Sequence, residues 1–415
     1  MLYELYEANR TILNPLTRFA EIGVSLWGDG PLSGFPFAER IAAGYELFAR
    51  IGKVYEKPAF GLDETTLSDG TTVAVREEIV LHESFCNLIH FVRAGVPAGR
   101  DPVVLVVAPL SGHHATLLRD TVRQLLHSHD VYVTDWLDAR DVPLSEGAFG
   151  LDDYVAYVRE FLGVLGEGVH VLSVCQPTVP VLAAISLMAT AGEPNLPRTM
   201  TLMGGPIDTR RSPTAVNDLA TREPYEWFEN TVICKVPEAY PGYLRRVYPG
   251  FLQLGGFVAM NPDKHFQSHW DFYKDLVKGD DESAEAHRRF YDEYNAVLDM
   301  PAEYYLDTIK VVFQDHALPR GTWHVGGVRV APENITSVAL FTIEGELDDI
   351  SGSGQTQAAH DLCTGIEPAR KEHFTAPGCG HYGIFSGRRW REVIYPRLHD
   401  FIRKHDSRSN GHDAR

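Results

Sequence analysis

Apolar residues along this chain change period several times, and the changes mark out its elements. Residues 2–26 and 37–56 read as helices whose aromatic residues, among them Tyr3, Tyr6, Phe19, Trp27, Phe35 and Phe37, form a candidate packing face. From 72 to 93, "TTVAVREEIVLHES" and "CNLIHFVR" are β-rich and partly alternating, which predicts a hairpin-like pair. Short apolar runs then alternate with longer helical patterns. "VVLVVAPL" (103–110), "DVYVTDW" (130–136), "VHVLSV" (169–174) and "RTMTLMGGPID" (198–208) read as strands. Segments 115–128, 151–165 and 179–191 read as the helices between them. Strands alternating with helices predict a mostly parallel sheet flanked by helices.

The alternation stops after 208. Residues 209–333 read as helical and aromatic-rich, and "ITSVALFTIEGELDD" (335–349) then restores a buried strand. "TQAAHDLCTGI" reads as a helix, "KEHFTAPGCGHYG" as a strand and loop, and "RRWREVIYPRLHDFIRKH" as a last helix. The expected organisation is an N-terminal helical region (1–70) on an α/β core (71–208 and 334–405). A cap (209–333) is inserted late in the sheet, and a disordered-type tail (406–415) follows. Such a cap lies over the sheet's C-terminal edge, where open α/β sheets bind ligands.

Composition narrows the function classes. Across 415 residues the chain is 44% hydrophobic and 23% charged, with a formal net charge of −18. That charge argues against a nucleic-acid footprint, which needs a basic face, and against attraction to anionic lipid. Glu4, Glu7 and Arg10 interrupt the N-terminus, so no secretory leader is expected, and no run reaches the length of a membrane span. The five cysteines are scattered without metal-type spacing, which fits a reducing cytoplasm.

The strand ends carry the candidate chemistry. Cys175 stands between an apolar strand and a helix, in "SVCQP". A helix start there favours a thiolate and also binds an oxyanion. Asp348 leaves the next strong strand, and His381 sits in the Gly-rich loop "PGCGHYG". The chain order nucleophile, acid, base is that of the α/β-hydrolase fold. Asp349 competes with Asp348, but adjacent residues leaving a strand point in opposite directions, and Asp348 is preferred. "APLSGHHATLLRD" supplies a second oxyanion donor near Ser111, to act with the backbone N–H of Gln176. His113 and His114 lack the partners of a metal site, and no cofactor or metal is expected. Ser173 and Pro177 replace the glycines of the usual G-x-S-x-G frame; serine is small, and proline suits a first helical turn.

"VAPLSGH", "SVCQP", "MGGPIDTRRSPTAVNDLA", "GELDDISGSGQTQAAHDLC" and "APGCGHYGIFSGRRWR" together resemble the intracellular poly(3-hydroxybutyrate) depolymerases, over nearly the whole chain. The resemblance implies a cysteine nucleophile, with the family's catalytic cysteine, aspartate and histidine falling on Cys175, Asp348 and His381. It also implies a storage polyester in cytoplasmic granules as substrate and partner, with water or coenzyme A as acyl acceptor. Polyhydroxyalkanoate synthases resemble the chain more loosely and usually keep glycines around their cysteine. Alternatives left open are such a synthase, another cysteine hydrolase of esters or lactones, and a non-catalytic granule-binding protein. Trp270, Phe251, Phe257 and Tyr273, with Trp227, Phe228 and Phe272, are candidate walls for an apolar polymer, although each also fits the cap's own core. Tyr3, Tyr6, Leu2 and Leu5, or the aromatics around Trp270, are candidate attachment points to a granule.

Overall fold

A computed structural model describes residues 2–406. Most of the tail expected at 406–415 lies outside the described residues. The sheet has nine strands: β1 (Glu64–Thr66), β2 (Thr72–Glu83), β3 (Cys86–Arg93), β4 (Val103–Val107), β5 (Asp130–Trp136), β6 (His170–Val174), β7 (Thr199–Met203), β8 (Ala339–Gly345) and β9 (Lys371–Ala376). Their spatial order is β1-β2-β3-β5-β4-β6-β7-β8-β9. The first three run antiparallel, and the six from β5 to β9 run parallel. The chain reverses its direction of travel across the sheet at β4, which lies between β5 and β6. The crevice outside the C-terminal ends of β4 and β6 is therefore the topological switch point, where ligands of such sheets bind. Ser111 follows β4 and Cys175 follows β6.

The parallel strands are continuous apolar runs because both faces are covered. Every residue of β6, β7 and β8 is buried, and one continuous core joins them to the helices around. Two of these are α4 (Leu151–Leu165), which follows α3 (Arg119–Leu125), and α5 (Thr178–Ala191). In α5, Thr178 through Met188 are all buried, so a helix apolar all round is expected at this position.

The segment between β7 and β8 carries α6 (Ala215–Arg222), α7 (Tyr225–Thr231), α8 (Gly250–Met260), α9 (Pro262–Lys278), α10 (Asp281–Tyr294) and α11 (Ala302–Asp307). It also holds a small three-stranded sheet of Cys234–Lys235, Arg246–Tyr248 and Met300–Pro301, which helical periodicity did not announce. At the N-terminus, α1 (Leu2–Trp27) and α2 (Ala38–Gly52) pack on each other. Salt bridges from Arg50 to Asp292 and from Arg288 to Glu46 fasten α2 to α10. The outer side of this pair is apolar: Ile12, Phe19, Ile22, Phe37 and Ile51 are all more than half exposed.

Three expectations are corrected. The helix read over 115–128 is a single 3-10 turn followed by the short α3. The "TQAAHDLCTGI" stretch is helical only at Ala359–Leu362, because its polar groups bond elsewhere. Thr356 Oγ1 donates to the Gly205 carbonyl at 2.9 Å, and the N–H of Gln357 donates to Glu344 at 2.8 Å. Tyr3 is not an exposed attachment point. It is buried, its hydroxyl donates to Asp299 at 2.6 Å, and Tyr6 stacks on Phe251 at 3.9 Å; only Leu2 and Leu5 of that cluster are exposed.

Candidate active site

The turn at Cys175 is sharp because Cys175 itself adopts φ 69°, a left-handed conformation that a non-glycine residue takes only at a cost. Two hydrogen bonds hold it there. Its N–H donates to the Met203 carbonyl at 2.7 Å, and its own carbonyl accepts from Thr178 N at 3.2 Å. Ser173 is wholly buried, and Pro177 has φ −57°, ready for the helix it opens. The glycine that this elbow lacks is supplied by the neighbouring strand. A Cβ on Gly205 would lie 1.7 Å from Thr178 Oγ1, so only glycine lets the end of β7 pass the start of α5.

Gly204 serves the other side of the site. It has φ +56°, and a Cβ there would lie 2.5 Å from Ile384 Cδ1 and 3.3 Å from His381 Cε1. "MGGPID" held these two glycines in plain view, but spacing alone does not say that they face Thr178 and His381.

Asp348 and His381 meet across the ends of β8 and β9. Their loops are joined by bonds from Glu346 N to the Ala376 carbonyl (3.1 Å) and from Leu347 N to the Cys379 carbonyl (2.9 Å). His381 Nδ1 donates to Asp348 Oδ2 at 2.7 Å, and Cys175 acts on the ring electrostatically as a second neighbour. Asp348 Oδ1 accepts the N–H groups of Ile350 (2.9 Å) and Ser351 (2.8 Å), which fix the carboxylate's orientation. Burial works against a charged His381, but Asp348 and Cys175 beside it outweigh that effect and hold the imidazole well above its usual value. Asp349 faces away, exposed, and accepts from Asn261 at 3.1 Å.

Cys175 and His381 open into a cavity of about 300 Å³. Ser111 and Gln176 line it with them. Neither backbone N–H of these two donates to an acceptor among the described residues. Most of the wall is apolar, built from Phe228, Phe257, Met260, Phe313 and Phe385 together with Tyr248, which burial pushes up to about 12. Of the four residues first expected to contact substrate, Phe257 alone lines this cavity. Phe251 packs on Tyr3 and Tyr6, while Trp270 is half exposed and stacks on Tyr273 at 5.4 Å. Their helical period could not say which side of α8 or α9 faces inward. Phe228 lines the cavity as well, whereas Trp227 and Phe272 do not. Ile309 and Phe313 were missed because they stand on a π-helical turn (Thr308–Gln314), whose period departs from 3.6.

His113 and His114 lie beside the cavity as neutral rings. Burial pushes His113 down to about 4 and His114 to about 3. His113 Nε2 donates to the Tyr294 carbonyl at 3.1 Å. Among the described residues no group of three or more His, Cys, Asp or Glu side chains is placed to hold a metal ion, and no helix is long and apolar enough to cross a membrane.

The architecture has distant solved counterparts. A monoacylglycerol lipase from Paleococcus ferrophilus is 12% identical, with a TM-score of 0.44 over 74% of this chain and 96% of that one. A 2-hydroxy-6-oxo-6-phenylhexa-2,4-dienoate hydrolase from Rhodococcus sp. strain RHA1 is 13% identical, with a TM-score of 0.43 over 80% and 99%. No curated protein matches the chain. Residues 204–406, from the glycine beside His381 through the Asp348 and His381 loops to the last helix, match the family described as PHB de-polymerase C-terminus. Over that region the chain is similar to the PHB depolymerase family, and its mostly parallel sheet flanked by helices is an α/β-hydrolase fold.

Proposed function

We propose that the protein is an intracellular poly(3-hydroxybutyrate) depolymerase acting through Cys175, His381 and Asp348. The observation that carries this reading is the left-handed Cys175 beside an Asp348-paired His381, all at the mouth of a largely apolar cavity. A polyester has methyl and methylene groups to bury and only acceptor oxygens to satisfy. A wall with few polar groups suits it.

His381 takes the thiol proton of Cys175 as the sulfur attacks an ester carbonyl. The oxyanion that forms is bound by the N–H groups of Gln176 and Ser111. His381 then protonates the departing alkoxide oxygen as the C–O bond breaks, and a 3-hydroxyacyl thioester remains on Cys175. In the second half, water gives a proton to His381, attacks the thioester and releases the acid. Alternatively the thiol of coenzyme A takes the acyl group. Asp348 keeps the imidazole in the tautomer that leaves Nε2 facing the sulfur. Residues 209–333 act as the cap over this reaction, and the partner is the surface of a polymer granule in the cytoplasm.

The test is incubation of the pure protein with amorphous poly(3-hydroxybutyrate), and separately with 3-hydroxybutyryl-CoA. Release of short acids or oligomers from the polymer, abolished by Cys175→Ala, is the expected result. Polymer growth from the CoA ester would mean a synthase, and adsorption without chemistry a coat protein. Either outcome overturns the proposal.

A further inference from the structure

The two proposed oxyanion donors are held by different parts of the molecule. Gln176 belongs to the elbow and is fixed by β6 and α5. Ser111 lies in a loop that the sheet lets go of early. The core's last grip is at Ala108, whose N–H donates to Thr134 Oγ1 at 2.9 Å and whose carbonyl accepts from Trp136 Nε1 at 2.8 Å. Beyond Ser111 the bonds run to the segment inserted between β7 and β8. The Gly112 carbonyl accepts from Leu298 N at 2.7 Å, His113 pairs with Val297, and the His113 ring donates to the Tyr294 carbonyl. Thr116 then donates to the buried Glu293, which is also salt-bridged to Arg119 at 2.9 Å.

Gln253 of α8 completes this grip. It is 4% exposed, and its amide nitrogen donates to the carbonyls of Tyr248 at 3.0 Å and Leu298 at 3.3 Å. With the nitrogen so used, the amide oxygen is turned onto Gly112. Gly112 has φ +103°, and a Cβ built on it would lie 2.5 Å from Gln253 Oε1 and 3.2 Å from Gln253 Cδ. One side chain of α8 thus touches the Arg246–Tyr248 strand, Leu298 and the loop that carries Ser111.

We propose that Gln253 is a positioning residue for the oxyanion hole. Its seat on Gly112 sets where the Ser111 N–H points, so the inserted segment completes the hole that the sheet leaves half built. The proposal rests on the catalytic roles given above to Cys175, Gln176 and Ser111. Gln253 touches no reacting atom.

Gln253→Met keeps the length of the side chain and removes both donated bonds. Expected is a fall in kcat on a soluble short ester of at least tenfold, short of the ~10²–10³ seen when an oxyanion donor is deleted outright. KM should move less than twofold. The rate at which iodoacetamide alkylates Cys175, measured in a Cys234→Ser background, should stay unchanged, because alkylation uses the nucleophile but no oxyanion. Gly112→Ala perturbs the same contact from the other side and should give the same split between kcat and KM. The double variant should lose much less than the product of the two single losses. Retained kcat in Gln253→Met, or a fall in kcat matched by a fall in alkylation rate, overturns the proposal; if that variant does not fold, Gly112→Ala decides by the same criteria. Turnover surviving Cys175→Ala would instead sink the catalytic reading on which the proposal stands.

Discussion

Replacing Asp348 by Asn separates geometry from charge at the acid. The two backbone N–H groups of Ile350 and Ser351 point at Asp348 Oδ1, so an asparagine there is held with its carbonyl oxygen in that position. Its NH2 group must then face His381 Nδ1, where a carboxylate oxygen now accepts at 2.7 Å. Two donors cannot face each other, so Nδ1 gives up its hydrogen and Nε2 keeps one. The ring then presents an N–H rather than a lone pair to Cys175, and it cannot take the thiol proton. A wrong tautomer of this kind lowers kcat by about 10⁴, or roughly 5 kcal/mol of transition-state stabilisation. The assay is steady-state hydrolysis of a soluble short ester, with thermal unfolding run in parallel to show an intact fold. Asp349→Asn is the internal control: its carboxylate is exposed and bonded only to Asn261, so a change below threefold is expected. A kcat within tenfold of wild type for Asp348→Asn, or a larger loss for Asp349→Asn, would refute the reasoning.

Gly205→Ala should destabilise the fold by several kcal/mol, because its methyl would meet Thr178 Oγ1 at 1.7 Å and the Thr178 Cβ, which cannot swing away, at 2.5 Å; a melting temperature within about 3 °C of wild type would contradict this. Stability should fall with acid well before carboxylates titrate. His113 is held at about 4 and His129 at about 3 by burial, below the ~6.5 of an unfolded histidine, so the unfolded chain binds more protons. The stabilisation is complete above pH ~6.5 and drains away as pH drops toward 4, which melting curves between pH 7 and 5 would register, and His129→Gln should flatten that slope. Adsorption to amorphous polymer should come from the apolar outer side of α1 and α2, because the net charge is −18 and charge cannot supply the attraction. It should survive molar salt, weaken with mild detergent, and drop in a Phe19→Asp, Ile22→Asp variant that still cleaves a soluble ester; release by salt alone would rule it out.

The sheet was legible because its strands are short apolar runs bounded by turns, and each expected core strand is present. Cys175, Asp348 and His381 were singled out because each stands at a strand end, and the structure brings them together: His381 pairs with Asp348 and shares a cavity with Cys175. What the sequence did not show is the side of each helix in the inserted segment. Phe251 and Phe257 stand six residues apart on α8, yet one packs on Tyr3 and the other on the cavity. Six residues place them about 240° apart round the helix, on different faces, and only the fit against α1 decides which of the two meets the cavity. Tyr3 misled for a related reason. An aromatic near the start of an amphipathic helix looks like surface until a buried acid, Asp299, appears 296 residues away to receive its hydroxyl.

The backbone at Cys175 carries a cost of its own. A left-handed conformation at a residue with a Cβ is disfavoured by roughly 1–2 kcal/mol, and glycine escapes it. Cys175→Gly should therefore melt at a higher temperature than the wild type while losing all activity, offset only partly by the looser unfolded chain that glycine brings. The cysteine is thus kept against the preference of its own backbone, and selection for thermal robustness alone would discard it. A library of variants sorted only for heat resistance should enrich glycine at 175, and with it a well-folded protein that has lost its chemistry.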